Sequence, residues 1–196
     1  MKRLFAIALA LSAPAATLAQ DTWNIDAAHS VSSFSIRHLV ISNVRGEFGK
    51  TTGTLTLDDK DVTKSTVEAT IETGTIDTRV PDRDNHLRSP DFFDTAKYPT
   101  ITFKSTKVEK AAEGKLKVTG NLTIKGVTKP VVLDVTGPTN EIKDPWGNVR
   151  RGISATTKIK RQDYGLTWNK MVEAGPVVGD EVAIAIEAEF IKAAPK

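Results

Sequence analysis

The chain has 196 residues and no cysteine, with 27 Lys or Arg against 24 Asp or Glu, for a formal net charge of +3. That length suits one domain with an apolar core of ordinary size, and disulfides and thiolate metal sites are excluded. Lys2 and Arg3 account for most of the excess charge, and no basic stretch interleaves with aromatics in the way a nucleic-acid surface requires.

The first residues have the three parts of an export signal. Lys2 and Arg3 form a positive start, residues 4–11 an apolar run, and Thr17, Leu18 and Ala19 a peptidase site of small character. Ser12 and Pro14 end the apolar run well short of the ~20 residues a spanning helix needs. We expect cleavage after Ala19, so that 1–19 is a signal peptide and 20–196 a single exported domain.

From there the pattern alternates with a period of two. Ser32, Phe34, Ile36 and His38 fall on one side of the first strand, and Ser33, Ser35 and Arg37 on the other. In the second run, 47–58, Phe48 differs in parity from Leu55 and Leu57, which predicts a bulge or bend near Gly49 or Gly53. Val67, Ala69 and Ile71 share a face of the third.

A long connection follows, between Ile76 and Thr100. Ser89 before Pro90 has the form of a helix N-cap, so one or two helical turns are expected around 83–87 and 89–93. Leu87, Phe92 and Phe93 form its apolar side; Arg83, Asp84, His86 and Arg88 form its charged side. It can serve as a lid plugging the fold, or as a mouth at which Arg83 and His86 receive a polar or anionic head.

Alternation then resumes. Ile101 and Phe103 share a face, as do Leu116, Val118, Gly120, Leu122 and Ile124, and then Val131, Leu133 and Val135. Ile153, Ala155, Thr157 and Ile159 follow, and Val182, Ile184, Ile186, Ala188 and Phe190 close the series. These are about eight strands, each with one apolar and one polar face, which excludes a buried parallel sheet. A two-sheet sandwich and a closed barrel both satisfy the pattern. Short connections at 109–114 and 125–129 favour sequential pairing, hence an all-β, eight-stranded antiparallel up-and-down barrel with a short helical insertion at about 82–94. Lys115, Lys117, Glu187 and Glu189 on the polar faces exclude an outer-membrane barrel, because those faces would meet lipid.

Signals for chemistry are sparse. His29, His38 and His86 fit no H-E-x-x-H spacing, and no G-x-S-x-G elbow is present. His38 shares parity with Phe34 and Ile36 and is expected to point inward; His29 is expected to make a structural hydrogen bond. Asp163 beside Arg161 is read as an ion pair at a strand end. Trp168 is placed as the cap of one barrel end, with lipid contact as the other reading. Trp146, in a Asp-Pro-Trp-Gly-Asn turn, is left open between packing and partner contact.

Trp23-x-Ile25-Asp26-x-x-His29-Ser30 with Phe34, Arg37-His38-Leu39, and Val44-x-Gly46-x-Phe48 form the first part of a recognisable series. It continues with Arg83-Asp84-x-His86-Leu87-Arg88-Ser89-x-Asp91-Phe92-Phe93-Asp94 and Tyr98-Pro99-x-Ile101-x-Phe103. Gly120-x-Leu122-Thr123-Ile124-x-Gly126-Val127-Thr128, Arg161-x-Asp163-Tyr164-Gly165 and Val178-Gly179-Asp180-Glu181-Val182 complete it. The sequence thus resembles the YceI-like family of periplasmic polyisoprenoid-binding proteins. The resemblance implies an extended lipocalin-like barrel whose tunnel holds an isoprenoid chain, an isoprenoid quinone or a similar long amphiphile, with the 83–94 motif beside the entrance.

Inward parity and this resemblance together select Phe34, Ile36, His38, Phe48, Arg83, His86, Leu87, Phe92, Phe93, Phe103, Leu133, Ile153 and Ile184 as the ligand-binding set. No catalytic residue, metal or cofactor is assigned. The expected partner is the lipid itself and not nucleic acid; transient contact with a membrane or membrane protein, and a homodimer, stay open. Two other functional classes remain beside a non-enzymatic carrier or reservoir. One is a protein-interaction or stress module with a merely structural core, and the other is an enzyme acting on a sequestered lipid.

Overall fold

A computed structural model describes residues 20–173 and 175–194; the expected signal peptide at 1–19 lies outside them. Along the chain run β1 (Asp21–Ile25), β2 (Val31–His38), β3 (Ser42–Phe48), β4 (Thr51–Leu57), β5 (Thr66–Glu72) and β6 (Ile76–Asp77). Helix α1 (Pro81–Arg88) precedes β7 (Thr100–Ala112), β8 (Lys115–Ile124), β9 (Val127–Thr136), β10 (Ile142–Lys143) and β11 (Val149–Lys160). The chain ends with β12 (Met171–Val172), β13 (Gly175–Pro176) and β14 (Val178–Lys192).

Eight staves close an antiparallel barrel. Three are kinked composites, β1 with β2, β3 with β4, and β5 with β6; the others are β7, β8, β9, β11 and β14. Each stave pairs with the next in sequence. The last returns to the first through Trp23↔Lys192 and Phe34↔Ile184, which leaves no long open edge. The sandwich alternative is thereby excluded. Tight turns at Gly114 (φ 65°) and at Lys125 and Gly126 (φ 49° and 77°) reverse the chain between β7, β8 and β9. The ring is thinnest between β9 and β11, which share only Ser154↔Thr136, Ala155↔Val135 and Thr156↔Asp134.

The kinks explain where the alternation misled. β1 gives way to β2 at Asp26, whose carboxylate accepts the Ala28 amide at 3.0 Å. β3 gives way to β4 at Gly49 and Lys50, one of the two places where parity required an irregularity, and so Phe48, Leu55 and Leu57 all face the interior. β1 and the first half of β3 were not foreseen as strands, nor were the two-residue β6, β10, β12 and β13.

The insertion differs from its expected form. One helix spans Pro81–Arg88, with Pro81 at its start and Asp82 and Asp84 in its first turn, where the helix dipole favours acids. Ser89 closes this helix instead of opening another: its amide and its hydroxyl both donate to the His86 carbonyl, at 3.1 and 2.7 Å. Residues 90–93 then form a turn, held by the Phe92 and Asp94 amides on the Ser89 carbonyl. Arg88 ties the helix to the barrel, donating to the carbonyls of Gly74 (2.9 Å) and Ile76 (2.7 Å).

Candidate functional site

The inward side chains leave one elongated cavity of about 400 Å³ along the barrel axis. All thirteen residues selected from the sequence lie on its wall. Phe34 and Ile36 come from β2, Phe48 from β3, Phe103 from β7, Leu133 from β9, Ile153 from β11 and Ile184 from β14. His38 ends β2, while Arg83, His86 and Leu87 reach the cavity from α1, and Phe92 and Phe93 from the turn after it. At the opposite end Leu57 and Phe190 line the cavity. Trp23, fully buried, packs with them and carries Arg151 and Lys192 over its ring at 5.2 and 5.4 Å.

Two glycines give the tunnel its bore. Gly46 lies across from Phe34 on the neighbouring strand, and a Cβ there would fall 2.6 Å from Phe34 Cζ. At Gly120 a Cβ would fall 2.4 Å from Phe103 Cζ. Each ring therefore lies flat on a strand that has no side chain under it, and the lumen stays open.

An aromatic layer crosses the α1 end. Phe48 packs between Phe34 (6.0 Å) and the edge of Phe93 (5.7 Å). His86 stands perpendicular to both Phe92 (5.0 Å) and Trp168 (4.8 Å), and its Nε2 lies 2.9 Å from the Asp91 carboxylate. Trp168 thus sits at a barrel end and on the cavity wall at once, so capping and cavity contact hold together.

Charge on the wall is confined. Arg37, His38, Arg83, His86 and Arg161 all belong to the α1 end; among the described residues the one other charged residue bordering the cavity is Glu187, which has the outward parity of β14 and accepts the Ser154 hydroxyl at 2.6 Å. Arg83 is oriented by Thr78, donating from Nε to its hydroxyl at 2.7 Å and from Nη2 to its carbonyl at 2.8 Å. Asp84 fixes Thr78 in turn, accepting from its amide (2.9 Å) and hydroxyl (2.5 Å).

Arg161 corrects one expectation. It does not pair with Asp163, whose carboxylate lies 3.9 Å from Lys129 Nζ. The residue is 4 % exposed, and its guanidinium turns inward and donates to the carbonyls of Gly179 (2.7 Å), Leu166 (2.5 Å), Trp168 (2.9 Å) and Val178 (3.4 Å). Burial lowers its pKa from the ordinary arginine value, and Asp180 opposes that shift. Arg161 therefore fastens the Leu166–Trp168 loop to the start of β14. A signal was present in the sequence: residue 161 has the parity of Ile153, Ala155, Thr157 and Ile159.

Other motif residues build the frame. His29 Nδ1 meets the Asp26 carboxylate at 2.8 Å, away from the cavity, as a structural histidine. Arg150 donates to Asp26 (2.6 Å), Asp144 (2.7 Å) and Glu189 (3.1 Å), drawing β1, β11 and β14 together. Arg150 and then His29 hold the Asp26 carboxyl down at about 2. Because Arg150 occupies the space among Asp26, His29 and Glu189, this acidic cluster is a clasp and not a metal cradle. Gly165 (φ 74°) caps the turn after Arg161, and Asp180 accepts the Gln162 amide at 3.1 Å. Trp146 is 80 % exposed at the β10–β11 turn, where the Asp144 carboxylate accepts the Trp146 and Asn148 amides.

Comparison with known proteins agrees with this architecture. The YceI-like domain family matches residues 23–190. A UPF0312 protein of Photorhabdus laumondii is 42 % identical over 189 residues, covering 96 % of this chain and 95 % of that protein. One from Serratia proteamaculans is 41 % identical over 192 residues, covering 97 % and 95 %. Among solved structures, the Campylobacter jejuni YCEI protein superposes with a TM-score of 0.69 at 34 % identity, over 81 % of this chain and 90 % of that one. A polyisoprenoid binding domain from Saccharophagus degradans shares the fold, with a TM-score of 0.64 at 16 % identity over 87 % and 98 % of the two chains. The family match covers nearly the whole described length and the barrel fold is shared, and the chain belongs to the YceI-like family.

Proposed function

We propose that this protein is an exported, non-enzymatic carrier or reservoir that holds an isoprenoid chain, or a similar long amphiphile, in its barrel. One observation carries the reading: an apolar shaft whose charged groups gather at one end matches a molecule with a greasy tail and a polar head. The polyisoprenoid binding named for the Saccharophagus degradans domain supports the same ligand class. The signal-like residues 1–19 support export to the periplasm.

Volume and energy are consistent with this. At roughly 30 Å³ per carbon, the order of a water molecule's share of liquid volume, the 400 Å³ cavity holds about a dozen carbons, or two to three five-carbon units. Burying them releases about 8–12 kcal/mol gross at ~0.8 kcal/mol per CH₂. Immobilising the ligand offsets several kcal/mol, which leaves micromolar or tighter binding. In this reading His38, Arg83 and His86 meet the head group, and the remaining ten selected residues meet the tail.

Native mass spectrometry of the purified protein, followed by lipid extraction and titration with farnesol and geranylgeraniol, tests the proposal. A co-purifying amphiphile or saturable micromolar binding is expected. An empty protein that takes up neither alcohol would leave the interior as a core only.

A further inference from the structure

The α1 end carries a second feature that the tunnel does not use. Among the described residues nine large apolar side chains are exposed, and four of them gather on two adjoining loops there. Val40 (51 % exposed) and Ile41 (75 %) lie in the turn between β2 and β3, and Met171 (74 %) and Val172 (44 %) on the β12–β13 hairpin. The loops are joined: the Leu39 amide donates to the Val177 carbonyl at 2.9 Å, and Val40 Cγ2 lies 3.5 Å from where a Gly175 Cβ would sit.

The first loop is costly to build in this way. Leu39 and Val40 have φ of 48° and 62°, the left-handed region that Gly and Asn occupy at ease and that a β-branched residue seldom enters. A turn that had only to reverse the chain would not need apolar side chains at those positions. Val40, both strained and half in water, with the more exposed Ile41 beside it, points to a surface that is covered in use.

Position and charge indicate what covers it. His38, Trp168, Val177 and Val178, the residues beside the two loops, line the cavity, so the apolar tip is continuous with the tunnel's charged end. The two segments that carry the tip, 37–45 and 170–180, hold Arg37, Arg45 and Lys170 against Glu173 and Asp180, a net of one positive charge, while Glu181 is taken up by Lys158. This surface attracts neither a strongly acidic partner nor an anionic membrane by charge; it fits an apolar, weakly charged layer.

We propose that the tip is a membrane-docking surface. Ile41 and Met171, flanked by Val40 and Val172, enter the acyl boundary of a bilayer and set the tunnel end against it. The proposal rests on the carrier reading for its purpose, since an amphiphile moving between tunnel and bilayer would otherwise cross water.

Flotation with phosphatidylcholine vesicles at low and high salt, using the protein and its Ile41→Ser/Met171→Ser variant, tests it. Both side chains are exposed and away from the cavity wall, so folding and farnesol binding in lipid-free buffer are expected to stay unchanged in the variant. The wild type should float at either salt concentration, and the variant's apparent vesicle affinity should fall at least about tenfold. No flotation of the wild type, equal flotation of the variant, or flotation that disappears in high salt would overturn the proposal. Sedimentation equilibrium supplies a further outcome against it: a dimer that the double substitution dissociates would assign the tip to a second copy of the chain. Farnesol binding in the same samples separates the two readings, since its loss with flotation intact removes the carrier and leaves the docking surface.

Discussion

Gly46→Ala tests whether the glycine seats set the tunnel's capacity. The added Cβ would lie 2.6 Å from Phe34 Cζ, 2.7 Å from Thr78 Cγ2 and 2.8 Å from Phe34 Cε1, so something must move. Thr78 cannot yield easily, because it is buried and held by Asp84 and Arg83. The Phe34 ring borders the cavity and can swing into it. Overpacking costs about 1–3 kcal/mol, while alanine in a strand recovers about 0.5–1 kcal/mol of glycine's entropic penalty, so net destabilisation should be about 0–2 kcal/mol. Binding should suffer more. Losing room for one five-carbon unit removes about 4 kcal/mol gross; a ligand shifting toward the α1 end regains about half, leaving a loss of about 2 kcal/mol, or about 30-fold in Kd. Calorimetric titration with farnesol and geranylgeraniol, beside thermal unfolding, measures both quantities. Adding Phe34→Leu should restore affinity, giving a non-additive double-mutant cycle. Unchanged affinity for both alcohols, or strict additivity with Phe34→Leu, would refute the idea that this seat controls the bore.

Two further outcomes follow from buried polar contacts. Arg161→Met strands four carbonyls and should cost about 3 kcal/mol or more in urea unfolding, with Trp168 becoming more accessible to acrylamide; Arg161→Lys should not restore either, since one ammonium cannot span Gly179, Leu166 and Trp168. Asp26, held at about 2 against an ordinary 3.8, stabilises the fold fully above the higher value and progressively less as pH falls toward the lower. Asp26→Asn should therefore be less stable by about 1–2 kcal/mol at neutral pH, allowing for water at the clasp. The gap should close as acid unfolding is followed from pH about 4 to about 2; a gap independent of pH would remove Asp26 ionisation from the clasp.

The wall was legible because alternation is a local property. Val182, Ile184, Ile186, Ala188 and Phe190 needed only their own parity to be assigned inward, and all five line the cavity. Composite staves were harder, since Asp26 and Gly49 look like strand ends when the partner strand holding both halves in line is out of view. Ser89-Pro90 carries a true helix-boundary signal with its direction reversed; Arg88 settles the direction by reaching Gly74 and Ile76, a contact no local pattern contains. Arg161 has the right parity but the wrong polarity for an apolar count, because its partners are backbone carbonyls. Gly46 and Gly120 have the parity of the wall too, yet an alternating pattern cannot distinguish a missing side chain from a seat for a ring.

These residues divide the motif series into two physical roles. Asp26, His29 and Asp180 hold backbone in place, Ser30 accepts the Glu189 amide at 3.0 Å, and none of these contacts reads a ligand. Phe34, Gly46, Phe103 and Gly120 instead determine cross-section, and Leu57, Phe190 and Trp23 determine depth. Hydrophobic attraction has no direction, so a wall of this kind discriminates by length and girth more than by identity. In the proposed carrier, preference among head groups arises at the end of the shaft, where Thr78 and Asp84 orient Arg83 and Asp91 orients His86. In the proposed carrier, substitutions at the ring seats and around α1 would therefore change the cargo without disturbing the contacts that close the barrel.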